Sequence, residues 1–401
     1  MDIVERFLKY VSFETTSYDD VEEFPTSPKV FELADHLVEE LKAIGIADAM
    51  VDEYGYVYGH LEATPGVEAD TIGLMSHMDT SSAVSGANIK PRILKYEGGD
   101  IELNPAVAIR AEEFPNLQYF IGHELIVTDG TTLLGADDKA GIAEIVSAVE
   151  YLIAHPEVKH GRIALCFNPE EETGRGTEHI SLDKFDAKYA YTVDGDRLGG
   201  IEYECFNGAG AKFKVNGINI HPGSAKNKMK NAVLIGTELI GMFPPAEAPV
   251  HTEGYEGFYH VMDFAGNESE AHISMIVRDH DRAKFEDRKA YVRRVVDYMN
   301  SKYGEGTVEL DLSDTYYNMR ELVEPHIEIV NKAIDVFESL GVETFITPIR
   351  GGTDGAGLTY MGVPCPNLST GGQNFHGVME FVSIDEMKKM IEVLVKLVSV
   401  E

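Results

Sequence analysis

The sequence predicts an α/β fold in which a mostly parallel-sheet domain is interrupted by a smaller α+β domain. Three apolar runs are too short for helices and are typical of buried strands: TIGLMSH, RIALCFN and KYAYTVD. Helical patterns lie between and around them, and this alternation favours a parallel sheet with helices on its faces. From about residue 206 the pattern changes, and it changes back before the C-terminus. We therefore expect a discontinuous first domain over residues 1–205 and 314–401, and a second domain over 206–313.

Two helices of the first domain have clear boundaries in the sequence. In TSPKVFELADHLVEELKAIG the apolar residues recur at helical spacing, with Ser27 as the expected N-cap, Pro28 at the first position and Gly45 at the end. The second helix, KAGIAEIVSAVEYLIAHP, is ended by Pro156. It lies between two of the predicted strands, as the crossover of a parallel sheet requires.

The second domain has a βαββαβ-like order. GAGAKFKVNGINIHPG predicts antiparallel strands with a turn at Val215–Gly217, and AHISMIVRDHD predicts another strand. MKNAVLIGTELIGMF and RAKFEDRKAYVRRVVDYMNSKYG predict helices. The first domain then resumes with the helix PHIEIVNKAIDVFESLG, the glycine-rich loop RGGTDGAG and a last helix opened by a capping box from Ser383 to Glu386.

The composition excludes several classes of function. A composition of 44% apolar and 25% charged residues is ordinary for a globular protein. A length of 401 residues is more than one core usually covers. The 34 basic and 68 acidic residues give a formal charge of −34, which repels phosphate backbones and anionic membranes. We therefore expect no nucleic-acid and no membrane partner. Cys166, Cys205 and Cys365 are too few and too widely spaced for a disulfide framework or a cysteine zinc site.

The start of the chain, MDIVERFLKYVSF, is amphipathic and has acidic as well as basic residues, unlike the basic and apolar start of a signal sequence. Nowhere is there an apolar run long enough to span a bilayer. We therefore expect a cytoplasmic protein.

Acidic and imidazole residues follow the apolar runs in five places: SHMDT, LLGADDKAG, NPEEETG, TVDGD and NFHG. Open α/β sheets gather their active residues at the carboxyl ends of strands. Two histidines and several carboxylates that converge on one cleft indicate a dinuclear metal site and metal-assisted hydrolysis.

Each motif also has a structural interpretation. His77 and Asp79 lie two residues apart at a strand end, so an imidazole ligand and a supporting carboxylate can share one side, but a solvated strand terminus has the same pattern. Asp137 precedes a helix and could bridge two cations or cap the helix, and spacing does not distinguish it from Asp138.

The glutamates of NPEEETG form the densest acidic cluster. One of Glu170, Glu171 and Glu172 could bind a metal while its neighbour acts as general base, whereas a solvated turn is the alternative. Asp194 could also belong to a common Asp-Gly turn, and His376 could be an ordinary exposed histidine in a loop.

The combination of motifs resembles one family. SHMDTS, YEGGDI, TDGTTLLGADDKAGIAEI, AYTVDGD, IHPGSAK, EGFYH, RGGTDGAGLTYMGVPCPNL and TGGQNFHG are similar to segments of the co-catalytic zinc aminopeptidases and carboxypeptidases, and most similar to the aminotripeptidases among them. The similarity runs from the first helix to the last. It implies a zinc-peptidase catalytic domain interrupted by a lid or dimerisation domain, two Zn²⁺ ions and a homodimer.

The resemblance also implies roles for single residues. The residues that it implies as metal ligands are His77, Asp137 and Asp194 for one zinc, and Asp137, Glu172 and His376 for the other. Glu171 would be the general base and Asp79 the partner of His77. One departure is NPEEETG, where the family more often has Asp before the glutamate pair and Val after it, so the identity of the two acting glutamates stays open.

Four residues are implied in substrate binding. His221 in IHPGSAK corresponds to a histidine that reaches across a dimer to the oxyanion, although a His-Pro turn would explain it without the resemblance. Arg278 and Arg350 would bind the terminal carboxylate of a peptide, with surface arginines as the alternative. Asn374 would offer an amide to the substrate backbone.

The implied activity is release of the N-terminal residue from tripeptides, by attack of a water that bridges the two metal ions with Glu171 as general base. Asp194 favours a peptidase, because several deacylases of the family have Glu at that position. An N-acyl amino acid deacylase or amidohydrolase of the same family is one alternative. A non-catalytic peptide- or metal-binding protein on the same scaffold is another.

Overall fold

The computed structural model describes residues 1–400, which divide into two compact units. Unit 1 comprises residues 1–203, 322–347 and 353–400, and unit 2 comprises residues 204–321 and 348–352. The second boundary therefore lies after Glu321 rather than at residue 314, because a break at 314 would cut through a strand that pairs within unit 2.

Ten α-helices lie within the described residues: α1 (Ile3–Tyr10), α2 (Val30–Ile44), α3 (Ala136–Ala154), α4 (Leu182–Phe185), α5 (Ala232–Ile240), α6 (Arg282–Tyr303), α7 (Arg320–Val323), α8 (Ile327–Ser339), α9 (Asp354–Tyr360) and α10 (Ile384–Val398). No helix in residues 1–400 combines the length and the apolar character needed to cross a bilayer.

The strands, in the same described part of the chain, are β1 (Met50–Val51), β2 (Val57–Leu61), β3 (Ile72–His77), β4 (Arg92–Lys95), β5 (Ile101–Asn104), β6 (Val107–Ile109), β7 (Glu124–Val127), β8 (Ile163–Asn168), β9 (Tyr189–Gly195), β10 (Gly200–Glu202), β11 (Asn207–Asn216), β12 (Phe258–Gly266), β13 (Glu270–Asp279), β14 (Val308–Tyr316), β15 (Phe345–Ile346), β16 (Asn367–Ser369), β17 (Gly372–Gln373) and β18 (Phe381–Ser383).

The main sheet of unit 1 has the order β1-β2-β8-β3-β9-β16-β10-β15. Its centre, from β8 through β3 and β9 to β16, is parallel, whereas β1, β2 and the β10–β16 pair are antiparallel. The predicted α/β class is thus confirmed, and the three predicted strands are the parallel centre of the sheet. All six residues of β3 and of β8 are buried, which explains why these strands are continuous apolar runs rather than alternating ones.

Helix α3 lies in the long connection between the parallel neighbours β3 and β8, directly before β8, and packs on β3 and β9. It is buried almost all round because α1 and α10 cover its other sides. Two smaller sheets, β17-β18-β7-β4 and the hairpin β5-β6, complete unit 1.

Unit 2 has the predicted order βαββαβ, with the four-stranded antiparallel sheet β12-β13-β11-β14. Helices α5 and α6 pack on this sheet. Its core contains alternating residues of the strands together with apolar residues of the helices, among them Phe213, Ile273, Val277, Phe285 and Val292.

Three local predictions were wrong. Ser27 does not cap α2: its backbone oxygen accepts the N–H of Val30, so a turn precedes the helix, and Lys29 occupies the cap position without a side-chain bond. The expected turn at Val215–Gly217 is instead the end of β11, and Ile218 makes only an isolated bridge to Lys230.

The third concerns the glycine-rich segment RGGTDGAG, which is a loop only in its first half. Helix α9 begins at Asp354, where the Thr353 hydroxyl accepts the N–H of Gly355 as an N-cap. The last helix begins as predicted, since the Ser383 hydroxyl accepts the Glu386 N–H. The Glu386 carboxylate, however, bonds to the Leu198 N–H, so the reciprocal half of a capping box is not formed.

Candidate functional site

Five predicted site residues meet at the carboxyl edge of the parallel strands. His77 is the last residue of β3, and Met75 pairs with Thr192 in β9, so Asp194 lies beside His77 two residues further along. The residues after β8 and the start of α3 reach the same edge. The expected convergence of the motifs is what parallel strand register produces.

One group contains His77, Asp137 and Asp194. The Nε2 atom of His77 lies 2.8 Å from Asp137 Oδ1 and 3.5 Å from Asp194 Oδ1. Its Nδ1 atom lies 3.0 Å from the backbone oxygen of Asp79, which orients the ring and leaves Nε2 directed at the two carboxylates.

A second group contains Asp137, Glu172 and His376. The Nε2 atom of His376 lies 3.1 Å from Asp137 Oδ2 and 3.0 Å from Glu172 Oε2. The two oxygens of Asp137 therefore face different groups, Oδ1 towards His77 and Oδ2 towards His376. In each group the three possible ligand atoms lie within 4.8 Å of one another.

Burial perturbs the titration of the acids in this cluster. It raises the pKa of Glu172 to about 7 and that of Asp194 to about 6, against the lowering effect of the histidines. Burial acts on Asp137 too, but hydrogen bonds from His376 and His77 bring the pKa of Asp137 below its ordinary value. The bond to Asp137 is the first cause that raises the pKa of His376 to about 10. Negative charge on Glu172 and Asp194 is therefore costly in this cluster unless a cation compensates it.

These residues fit two divalent cations. Each group offers one imidazole nitrogen and carboxylate oxygens, the donors that Zn²⁺ accepts, and the shared carboxylate can serve both ions. Glu172 Oε1 is buried and has no hydrogen-bond partner, so this oxygen lacks the compensation that burial requires. A cation beside it would supply that compensation.

Asp79 fixes the loop that follows β8. Its Oδ1 and Oδ2 accept the backbone N–H groups of Glu171 at 3.1 Å and Glu172 at 3.2 Å. Its Oδ2 also accepts the Ser17 hydroxyl at 2.7 Å, and its Oδ1 lies 3.4 Å from His77 Nδ1. The predicted partner of His77 thus also positions the glutamate pair.

Glu170 is turned away from both groups. Its Oε1 accepts the Thr26 N–H at 2.7 Å and the Thr26 hydroxyl at 2.8 Å, and its Oε2 accepts the Thr173 hydroxyl at 2.9 Å. Of the three glutamates, Glu172 belongs to a ligand group. Burial raises the pKa of Glu171 well above its ordinary value, and His77 opposes this shift, so the Glu171 carboxyl lies in the electrostatic field of the site.

Asp138 also faces away. It is buried, the hydroxyl of Ser76 donates to its Oδ2, and the His77 N–H donates to the same oxygen at 3.2 Å. Geometry therefore separates the adjacent aspartates: Asp137 is in both groups and Asp138 is in neither.

His221 and Arg278 belong to unit 2. His221 is exposed, and its Nδ1 accepts the Gly223 N–H as the cap of a short 3₁₀ helix. The Arg278 guanidinium lies 5.0 Å from the Tyr316 ring centroid, and its Nη1 donates to the backbone oxygens of Val277 and Ala209.

Arg350 and Asn374 are more fully bonded. Arg350 donates to the backbone oxygens of Gly254 at 2.6 Å and Glu256 at 3.0 Å, and to the Thr252 hydroxyl at 3.0 Å. The Asn374 amide donates to the Met379 oxygen and accepts from Asn116, so it supports the loop that carries His376.

Sequence reasoning missed two further carboxylates that support the site. Glu380 accepts three backbone N–H groups from the segment that carries Asp137. Glu202 orients the Asn367 amide, whose Oδ1 accepts the Asp194 N–H at 3.1 Å. The sequence does not distinguish either of them, because a single acidic residue outside a motif is most often at the surface.

The chain is similar in sequence and in fold to known peptidases. The model of peptidase family M20/M25/M40 matches residues 126–400. A peptidase T of Caldanaerobacter subterraneus subsp. tengcongensis is 52% identical over 399 residues, which cover 99% of this chain and 98% of the relative. Aminopeptidase PepT from Bacillus cereus has a TM-score of 0.76 at 23% identity, over 99% of this chain and 97% of that structure. A dinuclear metal-binding peptidase of family M20 from Bacillus subtilis has a TM-score of 0.65 at 13% identity, over 99% and 96%.

Proposed function

The chain belongs to peptidase family M20/M25/M40, and from that premise we propose that it is a zinc-dependent aminopeptidase that releases the N-terminal residue of tripeptides. The observation that carries the proposal is the shared carboxylate of Asp137, whose two oxygens face His77 and His376 in separate ligand groups. A single structural metal site would need only one such group.

We assign His77, Asp137 and Asp194 to one zinc ion, and Asp137, Glu172 and His376 to the other. When bound, two zinc ions supply the Lewis acidity that makes water nucleophilic at neutral pH and polarises a peptide carbonyl. Zinc is favoured over magnesium because each group includes an imidazole.

We assign the proton transfer to Glu171. Asp79 accepts its backbone N–H and so fixes its place in the loop, and burial raises its pKa, which makes the carboxylate a stronger base. Glu171 would take the proton from the attacking water and then pass it to the leaving amine. Asp79 acts only through the groups that it orients, namely His77 and the Glu171–Glu172 backbone.

Selection of tripeptides requires groups that bind the far end of the substrate. We assign binding of the C-terminal carboxylate to Arg278. Its Nε and Nη2 have no hydrogen-bond acceptor within residues 1–400 and could form two parallel hydrogen bonds with a carboxylate. Arg350 is the weaker candidate because its guanidinium already bonds to three groups of its own unit. We assign oxyanion stabilisation to His221, and we keep Asn374 as a substrate contact through its loop.

Three further assignments complete the proposal. The relatives that match nearly the whole chain are named peptidase T, which supports a tripeptide substrate over an N-acyl amino acid. Cys166 and Cys365 are buried thiols that form no disulfide within residues 1–400, as in reducing compartments, which supports the cytoplasm. The edge strand β12 of unit 2 leaves one side of its backbone unpaired in the sheet, which supports a homodimer through that unit.

The test is an assay of the zinc-reconstituted protein against a free tripeptide, the matching dipeptide and tetrapeptide, the N-acetylated tripeptide and an N-acetyl amino acid. We expect release of the N-terminal residue from the free tripeptide and little turnover of the others. Turnover of the N-acetyl amino acid alone would identify a deacylase instead. Light scattering of the same preparation measures whether it is a dimer.

A further inference from the structure

Glu380 is a buried carboxylate that is not in either ligand group. Its Oε2 accepts the N–H groups of Leu134 at 2.6 Å and Gly135 at 3.0 Å, and its Oε1 accepts the Asp137 N–H at 3.1 Å. The residue is 1% exposed. Both carboxylate oxygens are therefore used on one short segment of backbone.

The helix that starts in that segment has no side-chain hydrogen bond from its N-cap residue. Gly135 occupies the N-cap position of α3, where it has a positive φ of 80° and no side chain that could accept a backbone N–H. Asp137 itself has a non-helical backbone conformation, with φ −83° and ψ 104°. The first N–H groups of a helix need acceptors from elsewhere, and Glu380 supplies them across 243 to 246 residues of sequence.

Glu380 also lies at the base of the loop that carries His376. The Asn374 amide donates to the oxygen of Met379, the residue before Glu380, and β18 begins at the residue after it. β18 pairs with β7, which leads into the Asp137 segment. Glu380 thus joins the loop of one imidazole ligand to the carboxylate that both ligand groups share.

We propose that Glu380 is a positioning residue for the metal pair. By binding the backbone of Asp137, it sets the direction of the Asp137 carboxylate so that one oxygen meets His77 and the other meets His376. The role rests on the proposed function, since it concerns the ions of that same site. Residues that orient metal ligands commonly change metal affinity about 10–100-fold when they are substituted.

The test uses Glu380→Gln, which has the same size but replaces one oxygen with an NH₂ donor. At least one of the three N–H groups then faces a donor instead of an acceptor. The matched control is Glu386→Gln, because Glu386 is also a buried glutamate that binds a backbone N–H, that of Leu198, but lies outside the Asp137 segment.

The readout is binding of Mn²⁺ to the metal-free full-length protein by calorimetry, with electron paramagnetic resonance of the loaded protein. We expect Glu380→Gln to weaken Mn²⁺ binding about tenfold or more and to reduce the exchange-coupled signal of the pair in favour of isolated ions. Glu386→Gln should match the wild type in both. Affinity and coupling equal to the wild type in Glu380→Gln would overturn the proposal, whatever its melting temperature.

Glu380→Asp serves if Glu380→Gln does not fold, because it keeps the charge and shortens the reach of the carboxylate. Its Mn²⁺ affinity should also fall, and an unchanged affinity would overturn the proposal. Failure of the proposed function is seen separately, as wild-type protein that binds two Mn²⁺ ions but does not cleave a tripeptide.

Discussion

The carboxylate of Glu170 accepts two hydrogen bonds from Thr26, one from the backbone N–H at 2.7 Å and one from the hydroxyl at 2.8 Å. This contact joins the segment before α2 to the loop after β8. It fixes the residue just before Glu171 and Glu172, whose N–H groups Asp79 accepts.

We predict that Thr26→Val lowers kcat for a tripeptide about three- to tenfold, because it removes one charge-assisted hydrogen bond worth about 1.5–3 kcal/mol and loosens the loop of Glu171. Thr26→Ser, which keeps the hydroxyl, is the matched control and should retain nearly full activity. Steady-state kinetics checks this, together with hydrogen exchange of peptides that cover residues 169–175. Equal kcat and equal exchange in the two variants would mean that the contact does not position the loop.

Removal of metal should destabilise the protein as well as inactivate it. Asp137, Glu172 and Asp194 are brought together in a buried place, and ions that bind only the native state stabilise it by about 4 kcal/mol at a thousandfold excess over Kd. We expect a chelator to abolish activity and lower the melting temperature by several degrees, with both restored by zinc. In Asp137→Ala the chelator should shift the melting temperature much less. An equal shift in the variant would place the stabilising ion elsewhere.

Arg278→Lys should raise KM for free tripeptides about tenfold or more, because an ammonium cannot form the two parallel bonds of a guanidinium with a carboxylate. The effect should vanish with a C-terminally amidated tripeptide, which has no terminal carboxylate. Arg293→Lys, at an exposed position of the same unit, is the control. An equal KM increase for free and amidated substrates would exclude Arg278 as the group that binds the terminus.

Glu386 should give the stability a defined pH dependence. Burial raises the pKa of Glu386 to about 7, against the opposing effects of the Leu198 N–H and Arg197. Since the folded pKa exceeds the unfolded value of about 4.3, its contribution to stability is present below pH 4.3 and is lost as pH rises through 7. The total loss is about 3–4 kcal/mol at 1.36 kcal/mol per pKa unit.

Denaturant unfolding of the wild type and Glu386→Gln at pH 5 and pH 8 measures this contribution. We expect the variant to lose less stability than the wild type between the two values. Glu392→Gln, at a side chain that is 55% exposed, should follow the wild type. An equal loss of unfolding free energy between pH 5 and pH 8 in Glu386→Gln and the wild type would contradict the raised pKa.

The convergence of the five acidic and imidazole motifs was predictable because each follows an apolar run or begins a helix whose pattern is visible in the sequence. His77, Asp194 and the glutamates after β8 meet because parallel strands end at one edge, and that register follows from apolar runs such as TIGLMSH. The βαββαβ order of unit 2 was predictable from periodicity for the same reason.

Local sequence did not predict which of the adjacent acidic residues faces the ligand groups and which faces away. Asp137 and Asp138 differ because Ser76 binds only the second, and Glu170 differs from its neighbours because Thr26 binds it across 144 residues. Glu380 was missed for the same reason, since its partners lie more than 240 residues away. Such contacts depend on tertiary structure, and no periodicity indicates them. Ser27 was mistaken for a cap because a turn before α2 has the same residue preferences as a helix start.

The measurement that tests the account most directly is single-turnover hydrolysis of a free tripeptide by zinc-loaded wild type and Glu171→Gln, with the metal content of both determined. We predict that Glu171→Gln retains two zinc ions per chain and loses about 10²–10⁴-fold in rate, because it removes only the general base. Full activity in the variant, with both ions present, would contradict the assignment of Glu171. A wild type that binds two ions and cleaves no tripeptide would contradict the proposed function itself.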